Sequence, residues 1–87
     1  MTLEELKASI RSKVIEILTN INPDEDYEAL QDDAPFRDQL DMDSMDMLDI
    51  VLELRREYKV PIPEADYPRL STMNSTIDYL IPLVQSK

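Results

Sequence analysis

The chain has 87 residues, which is enough for one small domain with a modest core and too few for two, so we expect a single domain over residues 1–87. Nine basic and nineteen acidic side chains give a net charge of -10, and the resulting repulsion opposes binding to nucleic acid or to an anionic membrane surface. Cys and His are both absent, which removes disulfides, thiolate nucleophiles, the usual proton shuttle and the preferred zinc ligand. The composition therefore argues against an enzyme and favours basic partners.

Regular spacing of apolar residues predicts a first helix from Thr2 to about Asn20. Thr2 followed three residues later by Glu5 has the form of a capping box, and Asn22-Pro23 supplies a stop because a residue before proline is pushed out of the helical region. The residues predicted to form the buried face are Leu3, Leu6, Ile10, Val14, Ile17 and Ile21.

A long acidic loop is predicted from residue 22 to about residue 41, with Pro23 and Pro35 as helix breakers and a possible helical turn at 27–31. It belongs to a segment, residues 22–66, that holds fifteen acids and four bases, a net charge of -11. Loops of this length in compact domains tend to be functional. The side chains expected to anchor the loop to the core are Tyr27, Leu30, Phe36 and Leu40.

A second helix is predicted from Ser44, as its N-cap, to about Lys59. Acidic residues lie near its positive N-terminal end and basic residues near its negative C-terminal end, and both placements stabilise a helix. Met45 and Leu52 lie outside the predicted buried stripe and are expected to face solvent. The stripe consists of Leu48, Val51, Leu54 or Arg55, and Tyr58.

The remainder predicts a short third and a longer fourth helix. Proline restricts the third helix to at most one turn at Glu64–Tyr67, before Pro68. The fourth follows Ser71 or Thr72 and should kink or end at Pro82. Its predicted buried residues are Met73, Ile77, Leu80 or Ile81, and Val84. With no strand-like alternation, the fold class is all-α: an up-and-down four-helix bundle with a long first loop and a short third helix.

The segment from Phe36 to Asp46 places a serine hydroxyl at a helix start directly after an acidic loop. It resembles the modification site of acyl carrier proteins, the phosphopantetheine-binding carriers, in which a Phe, a Leu four residues later and Gly-x-Asp-Ser-Leu-Asp open the second helix. The run 43–46 matches the Asp-Ser-Leu-Asp part with Met45 in place of Leu. The run 58–63 resembles the family's aromatic-x-Ile-x-Ile-Pro stretch, so the resemblance extends over essentially the whole chain.

This resemblance implies that a phosphopantetheinyl transferase moves 4′-phosphopantetheine from coenzyme A to the Ser44 hydroxyl, with Asp43 as part of the flanking motif. Acyl groups would then form thioesters on the thiol of the arm and be presented to fatty-acid, polyketide or other acyl-transfer enzymes. A chain without Cys needs no thiol of its own for this task. Backbone N–H groups and the dipole at a helix start favour a phosphodiester there, although a serine at this place also acts simply as an N-cap.

The resemblance also implies a docking face for partner enzymes with basic patches, among them acyl-loading enzymes, and an interior site that shelters the acyl chain. Ordinary core packing is the alternative for the interior residues and for one of the exposed apolar residues. The expected docking residues are Met45, Asp46, Asp49, Leu52, Glu53, Arg55 and Arg56. The expected acyl-pocket residues are Leu48, Val51, Leu54, Ile62, Leu70 and Ile77.

The chain departs from the family pattern at three places, of which the first two point to a specialised carrier. Asp41 stands where the family usually has Gly, which predicts a stiffer loop into the second helix. Arg55 and Arg56 stand where the family usually has Glu, which reverses the charge on part of the docking helix. Pro82 is also atypical in the last helix. We expect a cytoplasmic monomer without stable membrane association, since no apolar run approaches the roughly 20 residues that a membrane span needs.

Several alternatives remain at this point. An aminoacyl or peptidyl carrier would usually show Gly-Gly-x-Ser in place of Asp-x-Asp-Ser, and an adaptor protein would keep the fold but leave Ser44 unmodified. A calcium-binding EF-hand loop starting at Asp41 would need Gly at its sixth position and Glu at its twelfth, where this chain has Asp46 and Leu52. We therefore expect no dedicated metal site, although weak divalent-cation binding stays open. No nucleophile and base pair suggests an enzyme.

Overall fold

The computed structural model describes residues 2–85, in which no strand is present beyond one isolated antiparallel bridge between Pro35 and Thr72. This arrangement confirms the predicted all-α bundle with a long first connection and a short third helix. No helix within this range combines the length and apolar character needed to cross a membrane. The elements are α1 (Leu3–Ile21), a first 3₁₀ segment (Tyr27–Ala29), α2 (Phe36–Gln39), α3 (Ser44–Tyr58), a second 3₁₀ segment (Glu64–Leu70) and α4 (Met73–Gln85).

Helix α1 is capped at both ends by side chains. The Thr2 hydroxyl oxygen accepts a hydrogen bond from the Glu5 N–H at 3.1 Å. Its hydroxyl donates to the Glu5 carboxylate, also at 3.1 Å, so the predicted capping box is only half formed. At the other end, the Tyr27 hydroxyl lies 2.8 Å from the Leu18 carbonyl oxygen and 2.6 Å from that of Asn22. The Asn22 carbonyl thereby gains a partner from the first loop, whereas the Leu18 carbonyl already accepts from the Asn22 N–H at 2.8 Å.

A single apolar core lies where α1 packs against α3 and α4, and where α4 packs against the second 3₁₀ segment. The predicted core positions Ile10, Val14 and Ile17 of α1 are buried, whereas Leu3 is 49% exposed and contributes little, because it precedes the part of α1 that the other helices cover. Leu18 and Ile50 are buried although the sequence periodicity did not select them.

The long loop is fixed to the rest of the fold. The predicted anchors Leu30, Phe36 and Leu40 are buried, and Phe36 is fully so. The Phe36 N–H donates to the Ser71 carbonyl oxygen at 2.8 Å, and the Asn74 N–H donates to that of Asp32 at 2.9 Å. These contacts hold residues 36–39 in the short helix α2. The sequence predicts irregular structure there, because Pro35 is a helix breaker.

The second 3₁₀ segment is longer than predicted and continues through Pro68 to Leu70. Tertiary contacts explain the extension. The Tyr79 hydroxyl of α4 donates to the Asp66 carboxylate at 2.7 Å, the Arg69 guanidinium lies 5.0 Å from the centre of the Tyr79 ring, and Leu70 is buried. Burial, followed by the bond to Asp66, raises the pKa of the Tyr79 phenol.

Helix α4 starts with a reciprocal pair of hydrogen bonds. The Thr72 N–H donates to the Ser75 hydroxyl at 3.1 Å, and the Ser75 N–H donates to the Thr72 hydroxyl at 2.9 Å, which confirms Thr72 as one of the two predicted caps. The predicted residues Met73 and Ile77 are buried. The helix does not end at Pro82 but continues to Gln85.

Candidate functional site

The start of α3 is capped by Asp43, and the prediction that Ser44 is the N-cap is therefore wrong. One carboxylate oxygen of Asp43 accepts hydrogen bonds from the N–H groups of Met45 and Asp46, each at 3.0 Å. The Asp46 carboxylate accepts in turn from the Asp43 N–H at 3.3 Å, which completes a capping box made of two acids. Aspartate is favoured at this place because its charge also interacts with the positive end of the helix dipole.

Ser44 is the first residue of α3 and is exposed. Within residues 2–85 its hydroxyl takes part in no hydrogen bond. Since Asp43 satisfies the N–H groups that a serine cap would have bound, the Ser44 oxygen remains accessible from solvent. The local fold therefore presents a free hydroxyl without using it for its own stability.

A groove of about 290 Å³ opens beside Ser44. Its apolar lining comes from α3 and the second 3₁₀ segment, and Arg37 and Glu64 contribute one charge of each sign. Four of the lining residues were not selected from the sequence. Signals for three of them are present: Met47 lies one helical turn after Ser44, and Glu64 and Tyr67 are three residues apart, a spacing that puts side chains on one face of a 3₁₀ helix. Besides Ser44, the groove is lined by Arg37, Met47, Leu48, Val51, Glu64 and Tyr67.

The residues expected to form an acyl pocket do not all lie in this groove. Leu48 is 42% exposed and lines the groove together with the buried Val51. Leu48 is therefore no part of the helix interior in which the sequence placed it, because the core side of α3 runs through Ile50, Val51 and Leu54. The remaining members, Leu54, Ile62, Leu70 and Ile77, are buried together in the core.

The residues expected to form a docking face lie along α3. Met45 is 74% exposed and Leu52 43% exposed, which confirms the prediction that both face solvent. Glu53 forms an ion pair with Arg56 at 3.2 Å, so the reversed charge of Arg56 partly neutralises an acid on the same helix. A second groove, of about 380 Å³, lies between α1 and later turns of α3, away from Ser44. It is lined by Ile17, Asn20, Ile21, Asp49, Leu52, Glu53 and Arg56.

The acidic side chains of the segment 22–66 are spread over the surface. In the part of the chain that the structure describes, no group of three or more carboxylates is arranged to hold a metal ion. The aspartates around Ser44 act in capping instead, through Asp43 and Asp46.

A small helical bundle that presents a free serine hydroxyl at a helix start, beside a groove, has the architecture of a carrier domain. Residues 8–80 match the family model described as the phosphopantetheine attachment site. The chain therefore belongs to the phosphopantetheine-binding acyl carrier protein family, whose members are carriers, and its covalent cofactor is 4′-phosphopantetheine. An exposed hydroxyl beside an open groove fits the attachment of such an arm.

Curated relatives and a solved structure support the same assignment. The chain is 32% identical over 78 residues to the acyl carrier protein of Chlorobium phaeobacteroides, an alignment that covers 86% of this chain and 95% of the relative. It is 34% identical over 80 residues to the meromycolate extension acyl carrier protein of Mycobacterium leprae, covering 92% of this chain and 65% of that relative. A solved structure of the acyl carrier protein from Enterococcus faecalis superimposes with a TM-score of 0.66 at 25% identity, covering 95% of this chain and 99% of that one.

Proposed function

We propose that Ser44 carries the 4′-phosphopantetheine arm and that acyl groups are bound to this arm as thioesters for presentation to acyl-transfer enzymes. The observation that supports this most directly is the exposed Ser44 hydroxyl at the first position of α3, left without a hydrogen bond within residues 2–85 because Asp43 caps the helix. Members of the matched family are carriers, and Ser44 lies inside the matched range of residues 8–80.

The chemistry at Ser44 is supplied by a partner enzyme. A phosphopantetheinyl transferase would join the Ser44 oxygen to the phosphorus atom of the pantetheine phosphate. A base of the transferase would take the serine proton, and the bond between the two phosphates of coenzyme A would break, so that 3′,5′-adenosine bisphosphate leaves. The N-terminal end of α3 favours the new phosphodiester through its dipole. The carrier itself contributes position and accessibility.

The groove beside Ser44 would hold the arm and the first part of the acyl chain against Met47, Leu48, Val51 and Tyr67. Transfer of the apolar acyl chain from water into such a groove is favourable. Leu54, Ile62, Leu70 and Ile77 are packed in the core, so a longer acyl chain would contact them only after the second 3₁₀ segment moves outward.

The docking face would bind partners through exposed apolar groups surrounded by charge. Met45 and Leu52 supply the apolar contacts, and Asp46, Asp49 and Glu53 supply the negative charge for basic patches. Arg55, which forms no ion pair within residues 2–85, would favour an acidic group on the partner next to the basic one, whereas Arg56 already pairs with Glu53. The two cations support a specialised set of partners acting on one monomeric domain.

Intact-mass measurement tests the attachment directly. The protein is incubated with coenzyme A and several phosphopantetheinyl transferases, together with Ser44→Ala and with the matched control Ser12→Ala, which removes another exposed serine hydroxyl from α1. Wild type and Ser12→Ala should gain the mass of one phosphopantetheine group and Ser44→Ala should gain nothing. A gain that survives Ser44→Ala, or no gain in wild type with any of the transferases, would refute the proposal.

The identity of the cargo is tested on the modified protein. Acyl, aminoacyl and unmodified forms differ in mass after incubation with fatty-acid ligases or with adenylating enzymes. Release of the added group by hydroxylamine, with the arm left in place, identifies a thioester. An added group that resists hydroxylamine would contradict thioester binding.

A further inference from the structure

Arg37 is a cation in the same groove as Ser44, and it has no carboxylate partner among the described residues. Four other basic side chains are engaged elsewhere, whereas Lys7, Arg55 and Lys59 likewise form no ion pair within residues 2–85. Arg11 pairs with Asp32, Lys13 with Glu16 and Glu57, Arg56 with Glu53, and Arg69 stacks on Tyr79. Among the described cations without an ion pair, Arg37 is the one that lines the groove beside Ser44, and this position favours an anionic ligand bound there in a chain of net charge -10.

The backbone that bears Arg37 is held in place. The preceding residue, Phe36, is fully buried and donates its N–H to the Ser71 carbonyl oxygen at 2.8 Å. The Gln39 side chain donates at 2.8 Å to the carbonyl oxygens of Gln31 and Ala34. Helix α2 is therefore fixed by contacts on both sides of Arg37, which lines the groove together with Ser44.

Attachment of a phosphodiester to Ser44 adds negative charge where negative charge is already dense. Asp43 and Asp46 flank the serine in sequence, and Glu64 lines the same groove without forming an ion pair to Arg37 within residues 2–85. These groups repel a phosphate. A guanidinium has parallel N–H donors that match two phosphate oxygens at once, so the Arg37 side chain is chemically suited to offset the repulsion.

We propose that Arg37 binds the phosphate of the pantetheine arm, both in the attached arm and in coenzyme A during the transfer reaction. This inference rests on the proposed attachment at Ser44. An ion pair at an exposed place has a modest effect, which corresponds to about a twofold to fivefold change in an equilibrium or binding constant. Its effect should weaken as salt rises to about 0.5 M.

The attached arm is examined by NMR on the modified protein. The variants are Arg37→Ala, Arg37→Lys and the matched control Arg55→Ala, which removes an exposed guanidinium from the later part of α3. At low salt the chemical shift of the ³¹P resonance should differ between wild type and Arg37→Ala, and this difference should shrink as salt is added. Arg55→Ala should have the same ³¹P chemical shift as wild type. Arg37→Lys should fall between the two, and the Arg37 Nε–H signal should shift on modification.

Transferase kinetics test whether Arg37 also binds the phosphate of coenzyme A during the transfer reaction. Arg37→Ala should raise the KM for coenzyme A about twofold to fivefold, while Lys7→Ala, which removes an exposed cation of α1 outside the docking face, leaves it unchanged. If Arg37 only added to the surface charge, its removal would instead strengthen docking of a basic transferase and lower the KM for the carrier. An unchanged KM for coenzyme A would overturn that half of the proposal.

The outcomes separate this inference from the function on which it rests. A gain of mass at Ser44 with the same ³¹P resonance in wild type and Arg37→Ala, or with the same displacement in Arg55→Ala, would overturn the role of Arg37 alone. No gain of mass in wild type would overturn the attachment and the role of Arg37 together.

Discussion

Replacing the N-cap Asp43 by Ala tests how much this side chain stabilises the start of helix α3. The substitution leaves the N–H groups of Met45 and Asp46 without the carboxylate that accepts from both at 3.0 Å. It also removes a negative charge from the positive end of the helix dipole. Loss of an N-cap to Ala costs about 1 kcal/mol, and the interaction with the dipole is worth about 0.3–1 kcal/mol at an exposed place.

An opposing effect has to be separated from this loss. In a chain of net charge -10, removal of any acid relieves repulsion and raises stability slightly. Asp41→Ala measures that relief, because Asp41 is a nearby exposed acid whose side chain does not cap the helix. Asp43→Asn keeps an oxygen acceptor but loses the charge, so it should show mainly the dipole contribution.

The assay is urea unfolding followed by circular dichroism at about 0.15 M salt, where charges separated by more than about 8 Å are largely screened. We expect Asp43→Ala to lower the free energy of unfolding by about 1 kcal/mol relative to Asp41→Ala, with Asp43→Asn between the two. In a domain of this size that loss lowers Tm by about 4–8 °C. Equal stability of Asp43→Ala and Asp41→Ala would refute the capping role.

Three further predictions concern other parts of the fold. Lys59 ends α3 with φ 54° and ψ 44°, so Lys59→Gly should raise the free energy of unfolding by about 1 kcal/mol and Lys59→Ala should not. The pKa of the Tyr79 phenol is raised in the folded protein, so its contribution to stability is complete at pH values below the ordinary pKa of 10.0 and is lost as pH rises through the folded-state pKa. The free energy of unfolding should therefore fall less steeply with alkaline pH in Tyr79→Phe than in wild type. Arg11→Ala breaks the pair with Asp32 (3.0 Å) and should cost at most about 1 kcal/mol while speeding proteolysis in the long loop.

Local rules explain which parts of the fold could be predicted from sequence. The apolar periodicity of α1, α3 and α4 predicted their extents within a few residues, because each helix buries one stripe against the others. The short helix α2 and the extension of the 3₁₀ segment past Pro68 depend on tertiary contacts, those of Phe36 with Ser71 and of Asp66 with Tyr79. No local pattern reveals such contacts.

The site was predictable to a similar degree. Ser44 was selected by its flanking residues, but Ser and Asp are about equally good N-caps, and only the three-dimensional structure shows which of the two neighbours caps the helix. The groove brings together residues of three elements that are distant in sequence, among them Arg37 and Tyr67. Helical periodicity describes one element at a time, so it could not place them beside Ser44.

Asp43 caps helix α3 and leaves the Ser44 hydroxyl free, and this affects how partner enzymes can recognise the carrier. Because no hydrogen bond of the described fold depends on the Ser44 hydroxyl, covalent change at that oxygen should leave the backbone and the melting temperature nearly unaltered. The unmodified protein and the protein with an empty arm would then share one outline. An enzyme that distinguishes these two forms must therefore contact the attached group itself. Specificity for one form would then come from the partner enzyme, because the surface of the carrier stays the same.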